Sequence, residues 1–177
     1  MKILKYIAVL FISIFISNCD SQDDDFVNIK YIEVQNLVNL PTNLVFNTGD
    51  DLNFFVVVPN VLTEPGFTTP LNINETTMSN VLEFSYYFEK KNGSEWEYFT
   101  AFGPVTSKEA VLNLSGVYVN NTSIQLSQPG QYRLMFNAGT TANSISLISK
   151  QESTKYTQIQ ISTTANNYNT GYYFTVN

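Results

Sequence analysis

The chain has 177 residues, no histidine, one cysteine and a formal net charge of −6, and its 11 Tyr and 13 Phe help raise the aromatic share to 14%. Without histidine the commonest general base and nitrogen metal ligand are missing, so no Ser-His-Asp triad can form; a single thiol excludes an intrachain disulfide and a Cys-rich zinc site. The acidic balance opposes binding to nucleic acid, the aromatic content favours strands, and neither a cofactor nor a metal is expected.

The N-terminus begins Met1-Lys-Ile-Leu-Lys-Tyr, continues as an apolar run over residues 7–16, and reaches Ser17-Asn18-Cys19. A basic start, an apolar block and small residues before a cleavage point are the parts of a secretory signal peptide. The apolar run is about half the ~20 residues that a membrane-spanning helix requires. Asp20, Ser21, Gln22, Asp23, Asp24 and Asp25 follow, polar and acidic. The segment resembles the signal peptides of bacterial lipoproteins, with Ile16-Ser17-Asn18-Cys19 in the place of the lipobox, in a loose form similar to that of Bacteroidota. The resemblance implies that residues 1–18 are removed and that Cys19 is acylated, which places the protein on the outer membrane without a spanning helix. Ser21, Gln22, Asp23, Asp24 and Asp25 resemble the acidic export signal behind the lipidated cysteine of surface-exposed lipoproteins of that phylum; the plainer reading is a solvated tether. Loss of Lys2 and Lys5 would leave seven basic against fifteen acidic residues, a formal charge of −8.

Residues 19–26 then read as the anchor and tether, and residues 27–177 as one domain of a size that can bury a core. Within it, short period-2 runs separated by Gly, Pro, Asn and Asp predict an all-β fold. Ile29, Tyr31, Ile32, Val34 and Leu37 suggest an irregular first strand. Residues 47–50 read as a turn, and residues 52–58, nearly all apolar, as a central strand that Pro59 ends. Residues 59–80 show no clear period and read as one long connection, a type often functional. Residues 81–102 form the clearest hairpin, with Lys90-Lys91-Asn92-Gly93-Ser94 as its turn and Asn-Gly at the centre. In that register Leu82, Phe84, Tyr86, Phe88, Trp96 and Tyr98 share the buried face, while Tyr87 and Phe99 take the opposite phase.

Residues 110–118 read as the next strand, Asn120-Asn121 as a turn and residues 123–126 as a short strand. Gln128-Pro129-Gly130-Gln131-Tyr132 precedes Arg133-Leu134-Met135-Phe136. This resembles the corner before the penultimate strand of immunoglobulin-like sandwiches, and implies that Tyr132 buries its ring while its hydroxyl bonds back to the corner. Residues 144–149, 157–162 and 172–176 are strand-like, with residues 166–171 as a turn. No helix is expected after residue 18. The fold expected is a single immunoglobulin-like or fibronectin-like β-sandwich of about 7–9 strands.

The carboxylates offer little chemistry. Asp50-Asp51 and the Asp23–25 run lack the spaced ligands of a calcium loop. Glu83, Glu89, Glu95 and Glu97 sit at wet hairpin positions beside Lys90 and Lys91. Trp96, Tyr98, Tyr87, Tyr172 and Tyr173 could line a sugar-binding platform or a protein interface, with Tyr87, Phe99, Tyr172 and Tyr173 the candidate contacts. Two functions follow as expectations: a non-enzymatic surface lipoprotein that binds a protein partner in an outer-membrane assembly, and a glycan-binding lipoprotein of a polysaccharide uptake system.

Overall fold

The structure, a computed structural model, describes residues 28–137, 139, 143–150 and 156–177. The signal segment, Cys19, and Ser21 to Asp25 lie outside the described residues. Strands are β1 (Ile29–Glu33), β2 (Val38–Asn39), β3 (Val45–Phe46), β4 (Asp51–Pro59), β5 (Val61–Leu62), β6 (Leu71–Asn72), β7 (Val81–Asn92), β8 (Glu95–Phe99), β9 (Thr106–Leu112), β10 (Val117–Gln125), β11 (Gly130–Phe136), β12 (Ile145–Ser149), β13 (Gln158–Thr163) and β14 (Tyr172–Val176), with one short helix, α1 (Ile73–Thr77). The chain is an all-β sandwich, as its alternation predicts.

Twelve of the strands form one sheet that curls on itself. One half runs β2-β4-β10-β9 and the other β8-β7-β11-β14-β3. These orders correspond to the A-B-E-D and C-F-G groups of an immunoglobulin-like sandwich. The 12-residue β7 joins the halves. Its first part pairs with β9 and β12, its second with β8 and β11. The inner faces meet through aromatic rings: Phe54 of β4 lies 5.4 Å from Tyr86 of β7 and 5.3 Å from Phe136 of β11, edge to face in both pairs. Rings in this geometry add to the ~1.5–3 kcal/mol that each large apolar side chain gains by burial.

Fourteen described strands exceed the 7–9 expected, because elements are added outside the sandwich frame. The β12–β13 hairpin is inserted between β11 and β14, β1 joins β13 in parallel, and β5–β6 forms a separate hairpin. That hairpin and α1 occupy residues 59–80, which are therefore not an unstructured connection. Helix α1 was not expected because five residues cannot show a 3.6 period. It is specified by its cap: the Asn72 side chain accepts from Glu75 N, and Met78 ends the helix at φ 56°. Asn60 bonds both Asn72 and the backbone N of Asn74, and Asn74 bonds Asn80, so asparagines stitch the cap together.

β4 is a central strand, paired with β10 and β2; its burial alternates strictly, and Phe55 and Val57 face outward. Two further expectations are corrected. Residues 110–118 are not one strand. Asn113 Oδ1 accepts from Ser115 N and Val117 N, an Asx-type turn that splits β9 from β10, with Gly116 at φ 74°. Asn120 and Asn121 consequently sit inside β10, opposite Val56 and Phe55, where Asn120 donates to Glu109 O.

Register also fixes the molecule's two ends. At one end lie Ile29 beside Gln158, Leu82 beside Ser149, Val81 beside Val111, and Val117 beside Pro59. Asn28, the first described residue, lies here, and this end is called the tether end after the tether expected over residues 19–26. At roughly 3.3 Å per residue, β7 travels about 30 Å between Leu82 and Lys91. The far end holds the Asn92–Glu95 turn and the Gly130–Val176 pair.

Candidate functional site

The hairpin register decides which aromatic rings are available. Asn92 pairs directly with Glu95, so the turn is the two residues Gly93 and Ser94. Gly93 has φ 61°, as the first central position of a II′ turn requires. The expected five-residue turn over 90–94 would set Glu95 opposite Glu89, whereas the two-residue turn sets it opposite Asn92, and exchanging an odd loop for an even one reverses every face on the returning strand. Phe99 therefore pairs with Phe88 and packs inward, its ring 4.8 Å from Phe102 and 5.1 Å from Tyr132. Trp96 and Tyr98 point outward, and Tyr98 is 50% exposed. Tyr172 is fully buried, because β14 starts on the inward phase, and its hydroxyl donates to Asn43 O. Phe99 and Tyr172 are thus core residues and not contact candidates; Tyr87 and Tyr173 remain on the outer face.

That outer face belongs to β8, β7, β11 and β14. One row crosses all four strands in register: Tyr98, Glu89, Arg133, Tyr173. Trp96 opposite Lys91 and Gln131 opposite Thr175 lie one row nearer the far end, and Tyr87 opposite Met135 one row nearer the tether end. Arg133 holds the centre. Its Nε donates to Glu89 Oε2, its guanidinium lies 4.8 Å from the Trp96 ring centre, and Nη1 reaches the Tyr173 hydroxyl at 3.5 Å. Trp96 and Tyr173 meet edge to face at 5.5 Å, and Tyr87 and Tyr98 lie 6.0 Å apart at 57°. A cleft of about 370 Å³ opens beside them, lined in part by Lys91, Trp96, Gln131, Tyr173 and Thr175.

Electrostatics tie this row together. Burial works against the Arg133 charge, but hydrogen bonds to Glu89 and Tyr173 outweigh it, and its pKa is raised. A hydrogen bond with Thr170, and one from Arg133, hold the Tyr173 phenol below its ordinary pKa. The face is a charged and aromatic surface whose central groups, Arg133, Glu89, Trp96 and Tyr173, are partnered with one another. Arg133 and Glu89 were not singled out as functional in the sequence. The signal was present: Arg133 stands alone among Tyr132, Leu134 and Phe136, on the outward phase of a strand whose inward positions are all large.

Elsewhere Asp50 and Glu97 make local hydrogen bonds. Asp50 Oδ2 accepts from Asn47 N at 2.7 Å and closes a turn, and Glu97 accepts from Asn92 across the hairpin. Among the described residues no group of three or more His, Cys, Asp or Glu side chains is placed to hold a metal ion, and no helix is long and apolar enough to cross a membrane. Tyr132 lies in the corner, its ring buried and its hydroxyl donating to Gln128 O at 3.1 Å and Pro129 O at 3.3 Å.

No family model, no curated protein and no solved structure matches the chain. Its class is therefore defined by its own architecture: an all-β sandwich that carries an aromatic and arginine-centred outer face at the end opposite its point of entry.

Proposed function

We propose that this protein is a non-enzymatic binding module, anchored to the outer membrane through acylated Cys19 and engaging a protein partner through the face around Arg133. The carrying observation is the in-register row Tyr98, Glu89, Arg133, Tyr173 with Trp96 stacked on the guanidinium. Trp, Tyr and Arg dominate the energetics of protein interfaces, and pre-ordered side chains reduce the entropy lost on binding. A sugar platform would need an open, flat ring face. Here Arg133 covers one face of Trp96, and the Trp96–Tyr173 planes meet at 67°. The geometry therefore favours a protein surface over a glycan.

The test is photocrosslinking on intact cells. A crosslinking residue at Tyr98 should capture one discrete protein band, and the same residue at Ser123, on the outer face of β10, should not. Arg133→Ala should weaken capture at least about tenfold, since a central interface arginine contributes 2 kcal/mol or more. Equal capture from both positions refutes the assignment. Retention of a polysaccharide by the purified chain, lost on Trp96→Ala, would favour the glycan reading.

The anchor and its location have their own test. Cys19→Ser should abolish labelling by a palmitate analogue. Replacing Asp23, Asp24 and Asp25 by Ala should leave labelling and stability unchanged, within the ~0.5 kcal/mol of surface substitutions. Protease added to intact cells should then no longer remove the protein. Undiminished shaving of the triple-Ala protein would make the run a mere spacer.

A further inference from the structure

The outward positions of the sheet change character along the strands. From the tether end, β4 presents Pro59, Val57 and Phe55, then Asn53 and Asp51; β10 presents Val117 and Val119, then Asn121, Ser123 and Gln125. β9 presents Val111 and then Glu109 and Ser107, and β7 presents Val81 and then Glu83 and Ser85. Val57, Val119, Val111 and Val81 are direct neighbours in register, so they form one apolar row across four strands. Val57, Val119 and Val111 are exposed, and Leu114, in the turn just beyond them, is wholly so. Antiparallel sheets normally keep their outer face polar. Outside the two rows nearest the end where the chain enters, the outward positions that these four strands share are polar, save Phe55 in the third row.

The turn that carries Leu114 is fixed to that end. Gly116 O accepts from Asn60 N, and Asn80 O accepts from Leu112 N, so the turn is braced by the segment holding Val61 and Met78. Val61 and Met78 are themselves exposed. Tyr156 is exposed beside the entry point, two positions before Gln158, which donates to Asn28 O. The apolar band, Leu114, Val61, Met78 and Tyr156 thus lie at the same end of the sandwich as Asn28.

We propose that this end of the sandwich seats in a lipid surface, with the Val57-Val119-Val111-Val81 row and Leu114 entering the boundary between headgroups and acyl chains. The inference rests on the reading of Cys19 as the anchor. Eight residues lie between Cys19 and Asn28, and the nine steps from one to the other, at ~3.6 Å each, reach at most about 32 Å. Such a leash brings the entry end to the membrane and keeps the Arg133 face away from it. The depth fits: one to two outward rows span roughly 7–13 Å, near the ~5–10 Å by which interfacial apolar faces penetrate. Chemistry selects the kind of surface. Glu83 and Glu109 flank the band on its polar side, so attachment is driven by apolar burial and gains nothing from anionic headgroups. A tyrosine ring at the rim suits the interface.

The native chain supplies a far-end control, since Trp96 is its only tryptophan. The full chain, purified from membranes, is reconstituted in phosphatidylcholine vesicles with brominated acyl chains, beside a Trp96→Phe, Leu114→Trp variant. Emission at position 114 should be blue-shifted and strongly quenched, and emission of native Trp96 should not be. Adding Val111→Glu and Val119→Glu, both on outward positions, should abolish the quenching while circular dichroism is unchanged. Added salt or anionic lipid should not strengthen it. The mass of the N-terminal peptide separates the two readings. If Cys19 is acylated and position 114 is unquenched, the seating is overturned and the anchor stands. If Cys19 is not acylated, the anchor reading fails, and quenching by vesicles added to the free chain decides the seating alone. A lipid-independent blue shift that grows with protein concentration would mean that the row is covered by a second copy, and would equally overturn the proposal.

Discussion

Replacing Tyr132 by alanine will lower the stability of the domain by about 3–5 kcal/mol, the cost of deleting a large buried aromatic side chain. The ring is completely buried, 4.8 Å from Phe102 and 5.1 Å from Phe99, and stacked on Phe174 at 5.7 Å. These neighbours come from β8, the segment after it, and β14, so collapse into the cavity would have to move three separate pieces of chain. Tyr132→Phe keeps the ring and loses the bond to the corner carbonyls, at about 0.5–1.5 kcal/mol. The corner has no slack. Gly130 has φ 148°, and a Cβ there would stand 2.8 Å from Lys90 Cε and 3.3 Å from the Tyr132 ring. Gln131, exposed on the next position, serves as control: Gln131→Ala should change stability by no more than ~0.5 kcal/mol. Denaturant midpoints at constant slope measure all three. A Tyr132→Ala protein with the midpoint of the parent would overturn the corner assignment.

How much of this was legible in the sequence depends on whether a pattern is local. Tyr132 was legible because a Pro-Gly turn, a tyrosine and an alternating strand lie within nine residues. The β7 pattern was legible too: Leu82, Phe84, Tyr86 and Phe88 are all buried. The face of β8 was not, because a five-residue turn over 90–94 and a two-residue turn at Gly93-Ser94 both suit the sequence, and an odd loop gives the opposite phase from an even one. That difference in loop length exchanges Phe99 for Trp96 and Tyr98 at the surface, and with them the composition of the candidate site. Tyr172 and Tyr173 pose the same problem, since two adjacent aromatics do not say which begins the inward phase. Other features depend on distant partners. Arg133 stands out locally as a lone charge on an outward position, but its partner Glu89, 44 residues earlier, is not legible until β7 and β11 are set side by side. The apolar row over β4, β10, β9 and β7 has no meaning until four strands are set in register. Within each strand its members look like ordinary core valines.

Raising the pH from 10 to 12 will cost the domain on the order of 5 kcal/mol, through two tyrosines in separate parts of the core. Burial pushes the phenols of Tyr118 and Tyr172 up to about 12, from an ordinary value of 10.0. Both donate to a backbone carbonyl, Tyr118 to Ser79 O at the tether end and Tyr172 to Asn43 O near β3, and a phenolate could not donate. Below pH 10 both states of the chain hold these protons, and the stabilisation is fully present. Between 10 and 12 the unfolded chain has lost them while the folded one retains them, so stability falls as pH rises. A difference of about two pH units corresponds to roughly 2–3 kcal/mol per tyrosine. Burial raises Tyr86 and Tyr168 in the same direction. Urea midpoints should therefore be level up to about pH 9.5 and then drop, while phenolate absorbance shows some tyrosines ionising only as the fold is lost. Tyr118→Phe separates the contributions. At neutral pH it costs the ~0.5–1.5 kcal/mol of one hydrogen bond, and it removes about half of the alkaline loss. Stability unchanged from pH 9 to 12, or full ionisation of every tyrosine while circular dichroism remains native, would show that these two rings are not sealed in the core.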